Sequence, residues 1–223
     1  MSKHMFFHRE IDQLKDMVIT LGTLVEDRLR RACAILETQD EEESRKIMTS
    51  DWEVDDMEIR VEEECLKILA LHQPVARDLR LIVAVIKINS ELERIADIAV
   101  NLAKRILTIS EKKTSDFVYV LDYQPMAAKI MEMVKTCLDA LVTEDAALAR
   151  QIFLMDDEVN RARDQAYKTV IEEIGRQPAD AACLVNLYLI ARHLERIGDR
   201  ATNIAEEIIY LVEGEIVRSS EDP

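Results

Sequence analysis

Apolar residues recur every three or four positions along nearly the whole chain. Between residues 8 and 37 they fall at Ile11, Leu14, Val18, Leu21, Val25, Leu29 and Ala32, the stripe of an amphipathic helix. Asp40 with Glu43 three residues on forms a capping-box variant that opens a second helix. That helix carries Ile47, Val54, Val61 and Ile68 at strict sevens, and His72-Gln73-Pro74 breaks it. Pro74 is placed to be the first residue of a third helix. The third seam runs Leu81, Val85, Ile88, Leu92, Ile95, Ala99 and Leu102. A second set follows. Pro125 starts a helix to about Val142, Asp145 caps one to about Gly175, and Pro178 opens the last, ending near Gly214. Residues 110–122 connect the sets and are the least regular stretch, and residues 219–223 read as a disordered tail. Short turns make consecutive helices antiparallel neighbours. The expected fold is therefore all-α: two tandem, pseudo-symmetric three-helix bundles, residues 1–109 and 123–215.

The two sets also match residue by residue. Leu36, Asp40, Arg45, Ile47, Asp51 and Val54 align with Leu141, Asp145, Arg150, Ile152, Asp156 and Val159, and Gln73-Pro74 aligns with Gln177-Pro178. A unit of about a hundred residues, present twice, accounts for the chain. The third helices carry the clearest echo. One reads Glu93-Arg-Ile-Ala-Asp97-Ile-Ala-Val-Asn101, the other Glu195-Arg-Ile-Gly-Asp199-Arg-Ala-Thr-Asn203. Residues four apart share a helix face about 5–6 Å from one another at Cβ, and acids so placed repel. A bound cation would offset that repulsion.

The second helices add acids at the same spacing, Asp51 and Asp55 in the first set and Asp156 with Asn160 in the second. Asp51 lies about 40° around its helix from Ile47, so these acids flank the apolar seam. Antiparallel packing would then set Asp51 and Asp55 against Glu93 and Asp97, and Asp156 and Asn160 against Glu195 and Asp199. Oxygen-rich sets of this kind suit hard cations: Mg, Ca, Mn or ferric iron. With 44 acids in 223 residues, chance alone gives about nine acid pairs at i,i+4, and Arg94 and Arg196 are placed to pair with Asp97 and Asp199. The weight therefore rests on the duplication and the trailing Asn. None of His4, His8, His72 and His193 forms a Glu-x-x-His pair. His193 lies about 160° from Glu195 on a helix and reads as a surface or interface residue. Gly198, at the position of Ala96, leaves room for a close neighbour.

Composition narrows the class. The 29 basic and 44 acidic residues give a net charge of −15, a poor match for a phosphate backbone or an anionic membrane surface. The longest apolar run, residues 81–86, is far short of the ~20 residues that span a bilayer. The start Met1-Ser2-Lys3-His4 lacks a signal-peptide core, so the expectation is a soluble cytoplasmic protein. Cys33, Cys65, Cys137 and Cys183 lie far apart and read as buried thiols.

These residues resemble the PhoU family, regulators of bacterial phosphate uptake. The resemblance covers the whole chain and rests on Asp51-Trp-Glu-Val-Asp55, Gln73-Pro74 with Arg77-Asp78-Leu79-Arg80-Leu81, Leu92-Glu-Arg-Ile-Ala-Asp97, and His193-Leu-Glu-Arg-Ile-Gly-Asp199-Arg200-Ala-Thr-Asn203. It implies two pseudo-symmetric bundles, and metal clusters on Asp51, Asp55, Glu93 and Asp97 and on Asp156, Glu195 and Asp199. Asn101 and Asn203 would be accessory ligands. Iron is the first expectation, with Zn, Mn, Mg or Ca as other occupants. Asn160 departs from the acidic pattern, so the second cluster should be weaker. The resemblance further implies a homodimer that acts as a negative regulator. It would do so as a non-catalytic adaptor between the phosphate ABC transporter ATPase and the phosphate sensor histidine kinase, with no nucleic acid and no membrane insertion. The competing classes are a carboxylate-bridged metalloenzyme with redox or hydrolytic activity, and a purely structural helical protein.

Overall fold

Local signals set most of the helix ends. The computed structural model describes residues 3–49 and 52–218, so the expectations for Asp51 and for the tail from Ser219 lie outside the described residues. The helices are α1 (Lys3–Thr38), α2 (Glu41–Thr49), α3 (Trp52–His72), α4 (Ala76–Lys112), α5 (Gln124–Thr143), α6 (Ala146–Arg176) and α7 (Ala181–Glu213), with a 3₁₀ turn at Pro178–Asp180. The second helix of the first set is represented by α2 and α3, on either side of residues 50–51. Asp40 caps α2 by accepting the Glu43 N–H at 3.0 Å. Asp145 caps α6 by accepting from Ala147 and Leu148, at 2.8 and 3.0 Å. Gly214 ends α7 in the left-handed region that glycine enters at low cost.

Pro74 is not the first residue of α4, contrary to the sequence expectation. α3 closes through Gln73, which adopts a left-handed φ of 50° and donates its N–H back to the Leu69 carbonyl. Val75 is extended, so the helix begins only after the reversal is complete. Pro74 stiffens the connection instead.

The first group packs α1, α2 and α3 against α4, and the second packs α5, α6 and α7 together. The fold is all-α, two tandem three-helix bundles. The most extensive pairing in the molecule is α4 on α7, with a further seam of α1 on α5. One apolar core therefore runs through both groups, from Leu14, Leu21 and Ile88 to Ile130, Leu187 and Ile204. Both central helices bury small residues: Ala96, Ala99 and Ala103 on α4, and Ala191, Gly198, Ala201 and Ala205 on α7, where Gly198 faces α5 and α6. Small side chains let helix axes approach closely. All four cysteines are buried and free. Among the described residues no helix is long and apolar enough to cross a membrane.

Candidate functional site

The third helix of each bundle becomes the central pair of the molecule, which brings the duplicated motifs to its middle. On the first side, Glu93 and Asp97 stand one turn apart on α4, and Asp55 and Glu58 approach from α3. The approach is recorded in the acidity of Glu93. Its carboxyl is pushed up to about 7, first by partial burial, then by the negative charges of Asp97, Glu58 and Asp55, with Arg94 opposing. Glu58 is itself raised by burial and then by Glu62 and Asp55. Among the described residues neither Glu93 nor Asp97 has an ion-pair partner. Arg94 donates to Glu91, one turn back, at 3.1 Å and not to Asp97, one turn on. Asn101 accepts from Lys104 at 3.5 Å.

On the second side the same positions are enclosed and bonded. Asp156 on α6 accepts the Asn160 amide at 2.8 Å through Oδ2. Its Oδ1 is buried without a partner. A Cβ built on Gly198 would lie 2.8 Å from that oxygen, so the glycine of α7 is the space into which Asp156 points. Burial first, then Asp199, pushes the Asp156 carboxyl up to about 6, while the Asn160 bond pulls it down. Glu195 is 4% exposed. Its Oε1 accepts from Arg163 at 3.0 Å and from Arg192, and its Oε2 is buried without a partner. Burial and Asp199 raise its pKa, against the pull of the two arginines.

The predicted carboxylates of each half thus share a neighbourhood, Asp51 lying outside the described residues. Among the described residues no three carboxylate, imidazole or thiol side chains stand close enough together to hold a metal ion. Asn203 is set apart from the acids of its half, in a hollow with Lys87, Ser90, Glu91 and Arg94. The donor chemistry nevertheless fits a hard cation. The second side holds two orphaned buried carboxylate oxygens and a glycine cradle, and the first gathers four carboxylates, of which Glu93 and Asp97 have no ion pair among the described residues.

Three participants escape the motif reading. Glu58 sits three residues after Asp55, on the same helix face, a spacing that could have identified it. Arg192 lies three residues before Glu195 and is legible the same way. Arg163 comes from another helix, and nothing local marks it. His193 is a correction: it is 8% exposed, not a surface residue. Both its ring nitrogens lack hydrogen bonds. Burial, then Arg105 and Arg196, pushes its pKa down to about 4. The reason is that α7 is enclosed on several sides, so a face that would be wet on an outer helix is covered.

Comparisons with known proteins agree with this fold. The PhoU domain family matches residues 18–106 and 124–208. The phosphate-specific transport system accessory protein PhoU homolog 1 of Thermotoga maritima is 34% identical over 96% of this chain and 92% of its own length. The Escherichia coli accessory protein PhoU is 29% identical over 95% of this chain and 87% of its own. The crystal structure of PhoU from Pseudomonas aeruginosa superposes with a TM-score of 0.88 at 34% identity, covering 94% of this chain and all of that one. The phosphate transport system regulatory protein PhoU from Streptococcus pneumoniae gives 0.85 at 27% identity, over 95% and 99% of the two chains.

Proposed function

The chain belongs to the PhoU family, and on that premise we propose that it regulates phosphate uptake and phosphate signalling as a non-catalytic adaptor. Its partners in this reading are the ATPase of the phosphate ABC transporter and the phosphate sensor histidine kinase. The observation that carries the regulatory role is likeness along nearly the entire chain to proteins named as accessory or regulatory to phosphate transport. An adaptor needs surfaces, and an acidic protein of net charge −15 offers them to basic patches on its partners. The working form is a homodimer in the cytoplasm.

Two repeats, residues 1–109 and 123–215, each carry one cation site in this proposal. The first is held by Asp51, Asp55, Glu93 and Asp97 in this reading, with Asn101 as an accessory donor and Glu58, whose charge Glu93 feels, as a further one. The second is held by Asp156, Glu195 and Asp199, with Asn160 as a weaker donor; Asn203, in its separate hollow, is left out of it. Iron is the foremost occupant, and Zn, Mn, Mg or Ca are compatible with oxygen donors to differing degrees. A bound cation supplies positive charge where the chain has gathered negative charge. The protein's own part is to hold α3 against α4 and α6 against α7, so that cation occupancy is felt as a change in the outer surface that partners read.

The test is reconstitution with the transporter ATPase and the cytoplasmic part of the kinase. Both should bind the chain, and binding should weaken as salt rises. Salt-independent binding would sink charge-driven docking, and absence of binding to either partner would sink the adaptor reading. Elemental analysis of protein purified without added metal tests the cation sites separately.

A further inference from the structure

Where α4 packs on α7, their arginines line one hollow. Arg94, Asp97, Ile98 and Asn101 from α4 and Arg196 and Arg200 from α7 enclose about 290 Å³. Three guanidinium groups face one carboxylate there, in a chain of net charge −15. Arg94 and Arg200 each donate to Glu91, both at 3.1 Å. Arg196 is exposed and has no ion pair among the described residues. Arg94 and Arg196 hold the same position in the doubled motif, so the duplication delivers two like cations to one cavity from two different helices. Glu91 and Asp97 offset two of these three cations, and the surplus positive charge at Arg196 is what an anion would meet. The Oδ1 of Asn101 accepts from Lys104, which leaves its amide nitrogen as a further donor.

We propose that this hollow binds a small, doubly charged tetrahedral oxyanion, inorganic phosphate, with Arg196 and Arg200 as its chief partners. A guanidinium presents parallel N–H donors whose spacing matches two oxygens of such an ion. Arg196 and Arg200, one turn apart on α7, with the Asn101 amide lining the same hollow from α4, can serve three of its oxygens. Asp97 is the opposing charge. Since it also belongs to the first cation site proposed above, a cation held there would cancel its repulsion and tighten anion binding. Phosphate binding without any metal rests on the arginines alone and does not depend on the cation proposal.

Equilibrium dialysis of chelator-treated full chain against labelled inorganic phosphate at low ionic strength decides the matter. Saturable binding of one ion per chain is expected. Arg196→Ala should weaken it about tenfold or more, Arg196→Lys less, and Asp97→Asn should tighten it. Arg196 is exposed, so these variants keep the fold, which circular dichroism verifies. Absence of saturable uptake, or an affinity unchanged in Arg196→Ala, overturns the site. Weaker binding in Asp97→Asn would mean that the anion sits on residual metal, and it overturns the proposal as well. Methyl phosphate serves as a competitor. Poor competition supports free inorganic phosphate as the ligand, and competition stronger than phosphate itself assigns the hollow to a phosphoryl group on another molecule and overturns the choice of ion. Loss of metal from the cation sites with phosphate binding intact, or the reverse, separates failure of one reading from failure of the other.

Discussion

On α3 and α4, Asp55, Glu58, Glu93 and Asp97 gather with Arg94 as the opposing charge that Glu93 feels, and Glu93 is pushed up to about 7. On α6 and α7, Asp156 and Glu195 have Asn160, Arg163 and Arg192 bonded to them. Equivalent helices therefore treat acid in opposite ways. At the first cluster Glu93 and Asp97 have no ion pair among the described residues, and at the second the arginines bonded to Glu195 offset its charge from within. A buried carboxylate without a partner is costly, so the enclosed cluster needed internal cations to fold, whereas the open one could stay poised for a cation from solution. The single exchange of an acid for Asn160 points the same way. In the proposed scheme the first site is the responsive one and the second is closer to structural.

The largest expected effect tests that asymmetry. Asp97→Ala should remove essentially all metal from the first site, and Asp199→Ala a smaller share, read as metal per chain by elemental analysis. The double variant Asp97→Ala with Asp199→Ala should be metal-free with near-normal helicity. Stoichiometric metal in the double variant would break the assignment, and equal losses in the two single variants would break the asymmetry.

Stability should show the reverse order. Arg163→Ala strips one of two donors from the buried Glu195, and about 1–3 kcal/mol of stability should be lost. Arg94→Ala, at the exposed cluster, should cost well under 1 kcal/mol. Thermal melts of the two variants give the comparison, and equal shifts would mean that Glu195 does not depend on its arginines.

A third test uses pH on the metal-free chain. The ordinary value for Glu93 is 4.5 and its native value about 7. Between those limits the native state holds a proton that the unfolded state has released. This group therefore makes stability fall as pH rises from about 4.5 to about 7. Asp156 adds a slope of the same sign between 3.8 and about 6. Glu93→Gln should flatten the upper part of the profile, making the variant relatively more stable at pH 8 than at pH 5. Denaturant midpoints across that range would show it, and a parallel profile for the variant would refute the raised pKa.

The smallest effect concerns the motif's one differing small residue. Ala96→Gly should cost about 1 kcal/mol through helix propensity alone. In Gly198→Ala the same preference works in favour of the change, while the new methyl displaces Asp156 Oδ1. Stability should thus stay within about 1 kcal/mol of the parent, but Asp156 should titrate nearer its ordinary value of 3.8, a shift visible by carboxyl NMR. An unmoved Asp156 would show that Gly198 is not its cradle.

Much of this was legible in the chain. The apolar seams and the Asp40 and Asp145 caps located the helices, because periodicity and capping are local properties. The Glu/Asp spacing located the acids for the same reason. What the pattern could not supply was enclosure. Whether a helix is central or peripheral depends on partners remote in sequence, so the pattern left His193 at a surface or an interface, and it is buried between helices. Arg163 joined Glu195 from a different helix with no local sign. Pro74 misled for a related reason: the turn needed a left-handed Gln73 and an extended Val75 before a helix could begin.

The cysteines carry one practical consequence. Burial pushes the thiols of Cys33 and Cys65 up to about 12 and that of Cys137 higher still, so at neutral pH almost none is thiolate, the reactive form. An alkylating reagent can then label the native chain only when it opens. Cys33 lies on α1, Cys65 on α3, Cys137 on α5 and Cys183 on α7, so the rate of labelling at each position becomes a built-in clock for the breathing of its own helix.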